Sequence, residues 1–229
     1  PALRELLSAG ARARTAADPR GELRGELRVG VFSSVSYLAV PRAIGAFREA
    51  HPQVDLRLQA APGGSGELAH AVSRGRLDVS LFGLPVPAAP GLRVHRLASS
   101  PYCVLLPPGH RLSGRAEIGL TELRDESFVD SPASFGNRAV LDGVLHARGV
   151  ARSVTVEVGE TAAISAFVRA GLGVGLLPEI LVPPHEQVEM VPLAERIDWD
   201  FNVITGTSPS QAASAFVDHL LDVYRSDEE

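Results

Sequence analysis

The 229-residue chain contains no lysine: all 22 of its basic residues are arginine. That absence is the mark of a G+C-rich genome rather than of a task. Against 27 acidic residues the arginines leave a formal net charge of -5. A scattered, mildly acidic surface excludes an electrostatic grip on nucleic-acid phosphates, which needs a net positive face. Cysteine is nearly missing too. The single Cys103 excludes an intrachain disulfide and fits a reducing compartment, so a cytoplasmic location is expected. No stretch approaches the ~18 uninterrupted apolar residues of a membrane span. Residues 1–18 carry arginines without the ~7–15-residue apolar core of a secretory signal. A soluble protein is therefore expected.

Hydrophobic residues make up 45% of the chain and charged residues 21%, a balance that excludes disorder as the main state. The length lies above the usual ~100–200 residues per domain, so one large domain or two interlocked subdomains are allowed. The chain begins with Pro1 rather than Met, as expected of an excised piece of a longer protein. Leu3, Leu6 and Leu7, followed by alanines among arginines, read as a helix ending near Asp18-Pro19. Its thin apolar stripe suits either the tail of a linker or dimerisation helix or a frayed terminus.

From Gly25 onward strands and helices alternate. Leu27 to Phe32 is a strand, Ser33 to Ser36 a turn, Leu38 to Ala50 a helix with Pro41 in its first turn, and Val54 to Leu58 a half-buried strand. Pro62 to Gly66 is a loop, Glu67 to Arg74 a helix and Leu77 to Phe82 a buried strand, an order that predicts a parallel sheet. After a proline-rich connector, Pro85 to Pro90, come two strands, Leu92 to Leu97 and Tyr102 to Leu106. The alternation then repeats: strand Ser127 to Val129, helix Phe135 to Ala147, strand Val154 to Val158, helix Ala162 to Ala170, strand Val174 to Leu177. A strand at Phe201 to Ile204 and a helix from Ser210 to Tyr224 complete the chain. Two similar α/β units without a long linker predict a bilobed body.

In open parallel sheets, ligands settle beyond the carboxyl ends of the strands. The polar loops fall there: Ser33, Ser34 and Ser36, then Gly63 to Gly66 with Ser65, then Ser131, Ser134 and Asn137, then Glu160 and Thr161. Helix N-termini carry free N–H groups and partial positive charge, so hydroxyl-bearing turns at such ends can hold a small anion without a cationic side chain. Equally, serine, threonine and asparagine commonly cap their own helices. Arg138, one turn into its helix, is either a carboxylate clamp or an ordinary surface arginine, and Phe135 either an apolar wall or a staple of its helix.

Signs of catalysis are scarce. Glu67 stands where the nucleophile-elbow pattern after Gly63-Gly64-Ser65-Gly66 requires glycine. The 7 histidines show no close pairing of the HExxH kind. Gly171-Leu172-Gly173-Val174-Gly175 follows a helix and precedes a strand, the reverse of a phosphate cradle. Cys103 lies in an apolar strand, where its thiol is expected to be inert. Glu160 remains only as a lone base. No enzyme activity, cofactor or metal is expected.

Several segments resemble the effector-binding domain of LysR-type transcriptional regulators. They are Leu27-Arg28-Val29-Gly30, Leu38 with Pro41 and Phe47, His51-Pro52-Gln53-Val54 and Gly75-Arg76-Leu77-Asp78. Leu106-Pro107-Pro108-Gly109-His110-Arg111-Leu112 and Gly171 to Pro178 continue the series. Their order and spacing cover essentially the whole chain.

The resemblance implies an α/β, two-lobed periplasmic-binding-protein type II fold, each lobe a mostly parallel sheet flanked by helices. Two interlobe crossovers would lie near Ala98 to Pro101 and Ile204 to Gly206. Residues 1–20 would end a linker helix, 21–98 with 206–229 would form the first regulatory lobe, and 99–205 the second. The effector would sit between the lobes against Ser33, Ser34, Ser65, Ser100, Pro101, Ser131, Phe135 and Thr161. The implied function is to sense a small, anionic molecule and change dimer or tetramer geometry, with DNA bound only through a missing N-terminal winged helix-turn-helix and no membrane involved. The family pairs lobes head to tail, which makes helices Leu38 to Ala50 and Phe135 to Ala147 the expected contacts. An extracytoplasmic solute-binding protein of the same fold is the alternative, and an enzyme on this scaffold a third reading.

Overall fold

The computed structural model describes residues 23–32, 38–61, 63–85, 91–184 and 187–227. The expected helix at Leu3, Ser33, Ser34 and Ser36 of the first turn, and residues 86–90 of the proline connector lie outside the described residues.

The first half alternates as the sequence predicts: β1 (Gly25–Val31), α1 (Val40–Ala50), β2 (Val54–Ala60), α2 (Gly64–Ser73) and β3 (Val79–Phe82). β1 pairs in parallel with both β2 and β3. α1 starts with Pro41 in its first turn, where a missing N–H leaves no bond unmade. Its stripe of Val40, Ala43 and Phe47 recurs at helical spacing and is buried. Phe47 meets Phe216 edge-on at 5.0 Å. Burying a side chain of that size stabilises the fold by about 2–3 kcal/mol.

A single strand, β4 (Arg93–Leu106), runs where the sequence suggested two. Ser99, Ser100 and Pro101 do not interrupt it. A register shift between Arg96 and Ala98 absorbs the irregularity, and β7 begins to pair only at Tyr102, so Pro101 sits where the strand still has a free edge.

The second half holds a 3-10 turn Leu120–Leu123, β5 (Ser127–Asp130), α3 (Gly136–Ala147) and β6 (Ser153–Glu157). A 3-10 turn Thr161–Ala163 leads into α4 (Ile164–Arg169), and β7 (Gly175–Pro178) is followed by a 3-10 turn Glu179–Leu181. β8 (Glu189–Pro192) was not foreseen: only Val191 in it is fully buried, which leaves little pattern to read. β9 (Asp198–Thr205) and α5 (Gln211–Asp227) complete the described chain.

β4 and β9 lie antiparallel, from Arg93 opposite Thr205 to Pro101 opposite Asp198, so both crossings between the halves run side by side. β9 already pairs with β3 from Asn202, which places the return into the first sheet earlier than the expected Ile204 to Gly206. The principal sheet has the order β2-β1-β3-β9-β4-β7, with β8 also on β4. β5 and β6 pair in parallel, and β5 is tied to Val174, immediately ahead of β7, by Val129 N–H to Val174 O and Val174 N–H to Ser127 O, each 2.9 Å. The sheets are mixed: parallel where strand and helix alternate, antiparallel where the crossing strands enter.

Side chains along β4 alternate between two cores. Val104 and Leu106 join the core that runs through both halves with Phe47, Phe128, Leu141, Trp199 and Phe216, while Cys103 and Leu105 join Val129, Ile164 and Leu177 on the opposite side. α5 returns to the first half and lays Ala213, Phe216, Val217 and Leu220 into it. Among the described residues no helix is long and apolar enough to cross a membrane.

Candidate functional site

The first turns of α2 and α3 meet where the two halves touch. Neither helix has a side-chain cap: Gly63 precedes α2 and Phe135 precedes α3. Each N-terminus carries a partial positive charge. At α2 the Glu67 carboxylate, which accepts from Gly63 N–H at 2.9 Å, offsets part of it, and Gly64 N–H is bonded to Ala61 O at 3.1 Å. The approach is close. A Cβ on Gly64 would lie 3.4 Å from the Ser134 carbonyl oxygen, and one on Gly136 would lie 2.4 Å from the Gly83 carbonyl oxygen.

Gly64 and Ser65 of α2, with Phe135 and the α3 residues Gly136 and Asn137, line one cavity together with Phe32, Thr161, Leu181 and Trp199. The space open to a water centre is about 20 Å³, enough for about one water molecule. Among the described residues no charged side chain lines it.

The polar side of the cavity is built in the second half. Ser131 Oγ lies 3.1 Å from Thr161 Oγ1, and Asn137 Nδ2 donates to Ser131 Oγ at 3.1 Å. All three residues are buried. The Tyr102 hydroxyl, on the crossing strand β4, donates to the Asn137 carbonyl and so ties the start of α3 to the crossing. Burial pushes the Tyr102 phenol well above its ordinary range, which keeps it protonated as the donor.

The alternative that these hydroxyls cap their own helices does not hold. Ser65 Oγ accepts from Gly83 N–H at 3.1 Å, 18 residues away, and Thr161 and Ser131 bond each other. The cap ahead of Thr161 is Glu160, whose Oε1 accepts from Ala162 N–H at 3.4 Å, so its carboxylate has a structural task.

Of the residues expected at the site, Ser65, Phe135 and Thr161 line the cavity, and Ser131 stands directly behind Asn137 and Thr161. Ser100 and Pro101 are not among its lining residues. Ser100 Oγ accepts from Ile180 N–H at 3.1 Å and so braces the turn that presents Leu181, while Pro101 lies opposite Asp198 of β9. Ser33 and Ser34 lie outside the described residues, although Phe32 just before them lines the cavity. Arg138 is engaged within the chain: its Nη1 donates to Ser131 O at 2.8 Å and its guanidinium pairs with Asp142 and Glu157.

Sequence reasoning missed Trp199 altogether. It is the sole tryptophan, on a strand whose pattern reads as core; its Nε1 donates to Gly83 O at 2.8 Å. A lone tryptophan at a lobe crossing was the available signal.

Beneath the site Asp130, fully buried, meets Arg152 Nη1 at 2.5 Å. Burial pushes the Asp130 carboxyl above its ordinary range, opposed by Arg152 and by the Ser131 N–H. A separate groove of about 600 Å³ is lined by Arg138, Asp142, His146 and Arg152. Among the described residues no group of histidine, cysteine, aspartate and glutamate could hold a metal ion.

A family model described as the LysR substrate binding domain matches residues 20–225. The RuBisCO operon transcriptional regulator of Allochromatium vinosum is 27% identical over 208 residues, which cover 88% of this chain and 68% of that protein. The chain thus spans about two thirds of that relative. The effector-binding domain of QuiR, solved in complex with shikimate, superposes with a TM-score of 0.79 at 17% identity, covering 89% of this chain and 99% of that one. The regulatory domain of CcmR from Synechocystis PCC6803, solved in complex with 2-PG, gives a TM-score of 0.78 at 23% identity, covering 88% and 98%.

Proposed function

The chain belongs to the LysR substrate-binding domain family, the effector-binding part of LysR-type transcriptional regulators, and from that premise we propose that its cleft holds a small anionic effector between two lobes. The observation that carries this reading is the meeting of two uncapped helix N-termini over the buried Ser131, Asn137 and Thr161. The two helix ends direct partial positive charge at the cleft, reduced at α2 by Glu67, and so favour a small acid there; among the described residues the lining offers no cationic side chain.

The lobes would be residues 21–98 with 206–229 and residues 99–205, connected by β4 and β9. Contacts at Gly64 and Gly136 hold them together. An acid enters when these contacts part, and it favours closure by the difference between its affinities for the closed and open states. A difference of about 1–3 kcal/mol suffices for a regulatory response. In the whole regulator, an N-terminal winged helix-turn-helix reads DNA in the cytoplasm, and closure alters the geometry of a homodimer or tetramer. The chain has no catalytic task in this scheme. The relative's name as a transcriptional regulator favours this reading over a solute-binding protein or an enzyme.

A thermal-shift screen with shikimate, 2-PG and inorganic sulfate tests the site. Protection of the wild type that falls in Ser65→Ala and Thr161→Ala supports it; protection equal in both variants moves the site elsewhere.

A further inference from the structure

The pairing of β5 with β6 ends at Asp130 opposite Glu157, and Ser131 starts a segment without regular structure that lasts until α3. Charge takes over there. Ser131 N–H donates to Asp130 Oδ1 at 2.6 Å, and Ser131 O accepts from Arg138 Nη1 at 2.8 Å. Each holder is itself held. Asp130 meets Arg152 Nη1 at 2.5 Å, Arg152 Nη2 grips Asp142 Oδ1 at 2.6 Å, and Asp142 Oδ2 returns to Arg138 Nε at 3.1 Å. A closed ring results, in which the backbone of Ser131 is one link. None of the four charged residues is among those lining the cleft.

We propose that Asp130, Arg138, Asp142 and Arg152 are positioning residues for the effector site, acting on the ligand only through Ser131. The proposal rests on the effector reading of the cleft and deepens it. Ser131 is the hub of the buried triad, so any drift of its backbone separates Oγ from Thr161 and Asn137 together. Hydrogen bonds to charged groups are roughly twice as strong as neutral ones. They clamp this residue from its donor side and its acceptor side, where no strand neighbour does. The inner half of the ring is dry, with the Asp130 and Arg152 side chains 1% and 6% exposed. The outer half, at Asp142, meets solvent, as does Glu157, which pairs with Arg138 from outside the ring. A binding site needs such fixed support, because misplacement by a fraction of an ångström removes the hydrogen bonds that select the ligand.

The ring also assigns Arg138 a task that its position one turn into the helix does not suggest. Both of its link partners within the ring, Ser131 and Asp142, are reached from one guanidinium fork, which a lysine ammonium cannot reproduce.

Amide hydrogen exchange on the whole chain tests the proposal with wild type, Arg138→Met, Arg138→Lys and a control, Arg111→Met, which breaks a distant ion pair with Glu126. In Arg138→Met, exchange at residues 131–137 is expected to quicken roughly tenfold while the rest of the chain changes less than about twofold. Arg138→Lys should recover part of the protection, and the control should leave 131–137 untouched. Isothermal titration with shikimate and with sulfate reads the consequence: whichever binds wild type should bind Arg138→Met about tenfold more weakly. Unchanged exchange at 131–137, an even rise along the whole chain, or unchanged affinity despite faster local exchange would each overturn the proposal. If neither probe binds wild type, the effector reading is at fault, and the exchange pattern alone decides the role of the ring.

Discussion

Trp199 and Gly83 are fitted to each other across 116 residues of sequence: the indole Nε1 donates to the Gly83 carbonyl at 2.8 Å, and a Cβ on Gly83 would lie 2.4 Å from Trp199 Cζ2. Gly83 N–H in turn donates to Ser65 Oγ, and its carbonyl is the group nearest to Gly136. One peptide segment thereby joins the floor of the cleft, the start of α2 and the start of α3.

Gly83→Ala pushes a methyl group to within 2.4 Å of the buried indole of Trp199, which is held in place by its bond to the Gly83 carbonyl. Overpacking of this kind costs about 1–3 kcal/mol. Urea unfolding followed by tryptophan fluorescence should show the loss directly, since Trp199 is the only emitter of its kind. A native emission maximum shifted to the red would show that the indole has moved toward water.

Gly136→Ala sets two effects against each other. In a helix, alanine is favoured over glycine by about 1 kcal/mol. Here, however, its Cβ would meet backbone rather than a flexible side chain, the Gly83 carbonyl oxygen at 2.4 Å and Leu84 N at 3.0 Å. The expected outcome is a small change in unfolding free energy and a large change in the cleft. Small-angle scattering should show a more open shape, and protection by any acid that stabilises wild type should fall.

Cys103 lies in the core beneath α4, and burial pushes its thiol up to about 12. At neutral pH it is a thiol, not a thiolate, and a disulfide reagent cannot reach it. Labelling should follow unfolding: slow in buffer, immediate in concentrated urea, with a native-state rate that tracks the stability of variants such as Gly83→Ala.

Two surface glutamates and one buried aspartate respond to pH in opposite senses. Glu189 accepts from Gly114 N–H at 2.7 Å and Glu122 from Gly119 N–H at 2.9 Å, and these bonds hold both carboxyls below the usual range. Their contribution is present above the ordinary glutamate range and is lost as pH falls through the lowered folded-state values. Asp130, raised chiefly by burial, contributes fully below the ordinary aspartate range, and that contribution is lost as pH rises through its raised value. Carboxyl carbon NMR titration should find Glu189 and Glu122 early and Asp130 late. Glu189→Gln should flatten the loss of stability on acidification.

Much of the fold was legible because burial leaves a period in the sequence. The alternation in β1, the buried run of β3 and the helical spacing of Val40, Ala43 and Phe47 all record which face meets the core. The same signal misled at β4, where Ser99, Ser100 and Pro101 look like a break. Pairing with β9 continues through them, and the bulge after Arg96 takes up the mismatch. Ser65, Ser131 and Thr161 were legible as candidates because polar residues in the loops after strands stand out. Ser100 stood out for the same reason, yet its Oγ accepts from the Ile180 N–H.

The amino-acid sequence by itself determined the elements, their order and the family to which the chain belongs, since those depend on near neighbours and on motifs kept at regular spacing. Only the tertiary structure decided that Trp199 reaches Gly83, that the starts of two helices meet at Gly64 and Gly136, and that Arg138 turns to the Ser131 carbonyl. Local pattern records how much water a residue loses. It does not record which distant backbone group replaces that water, because the choice depends on how whole sheets and helices come together.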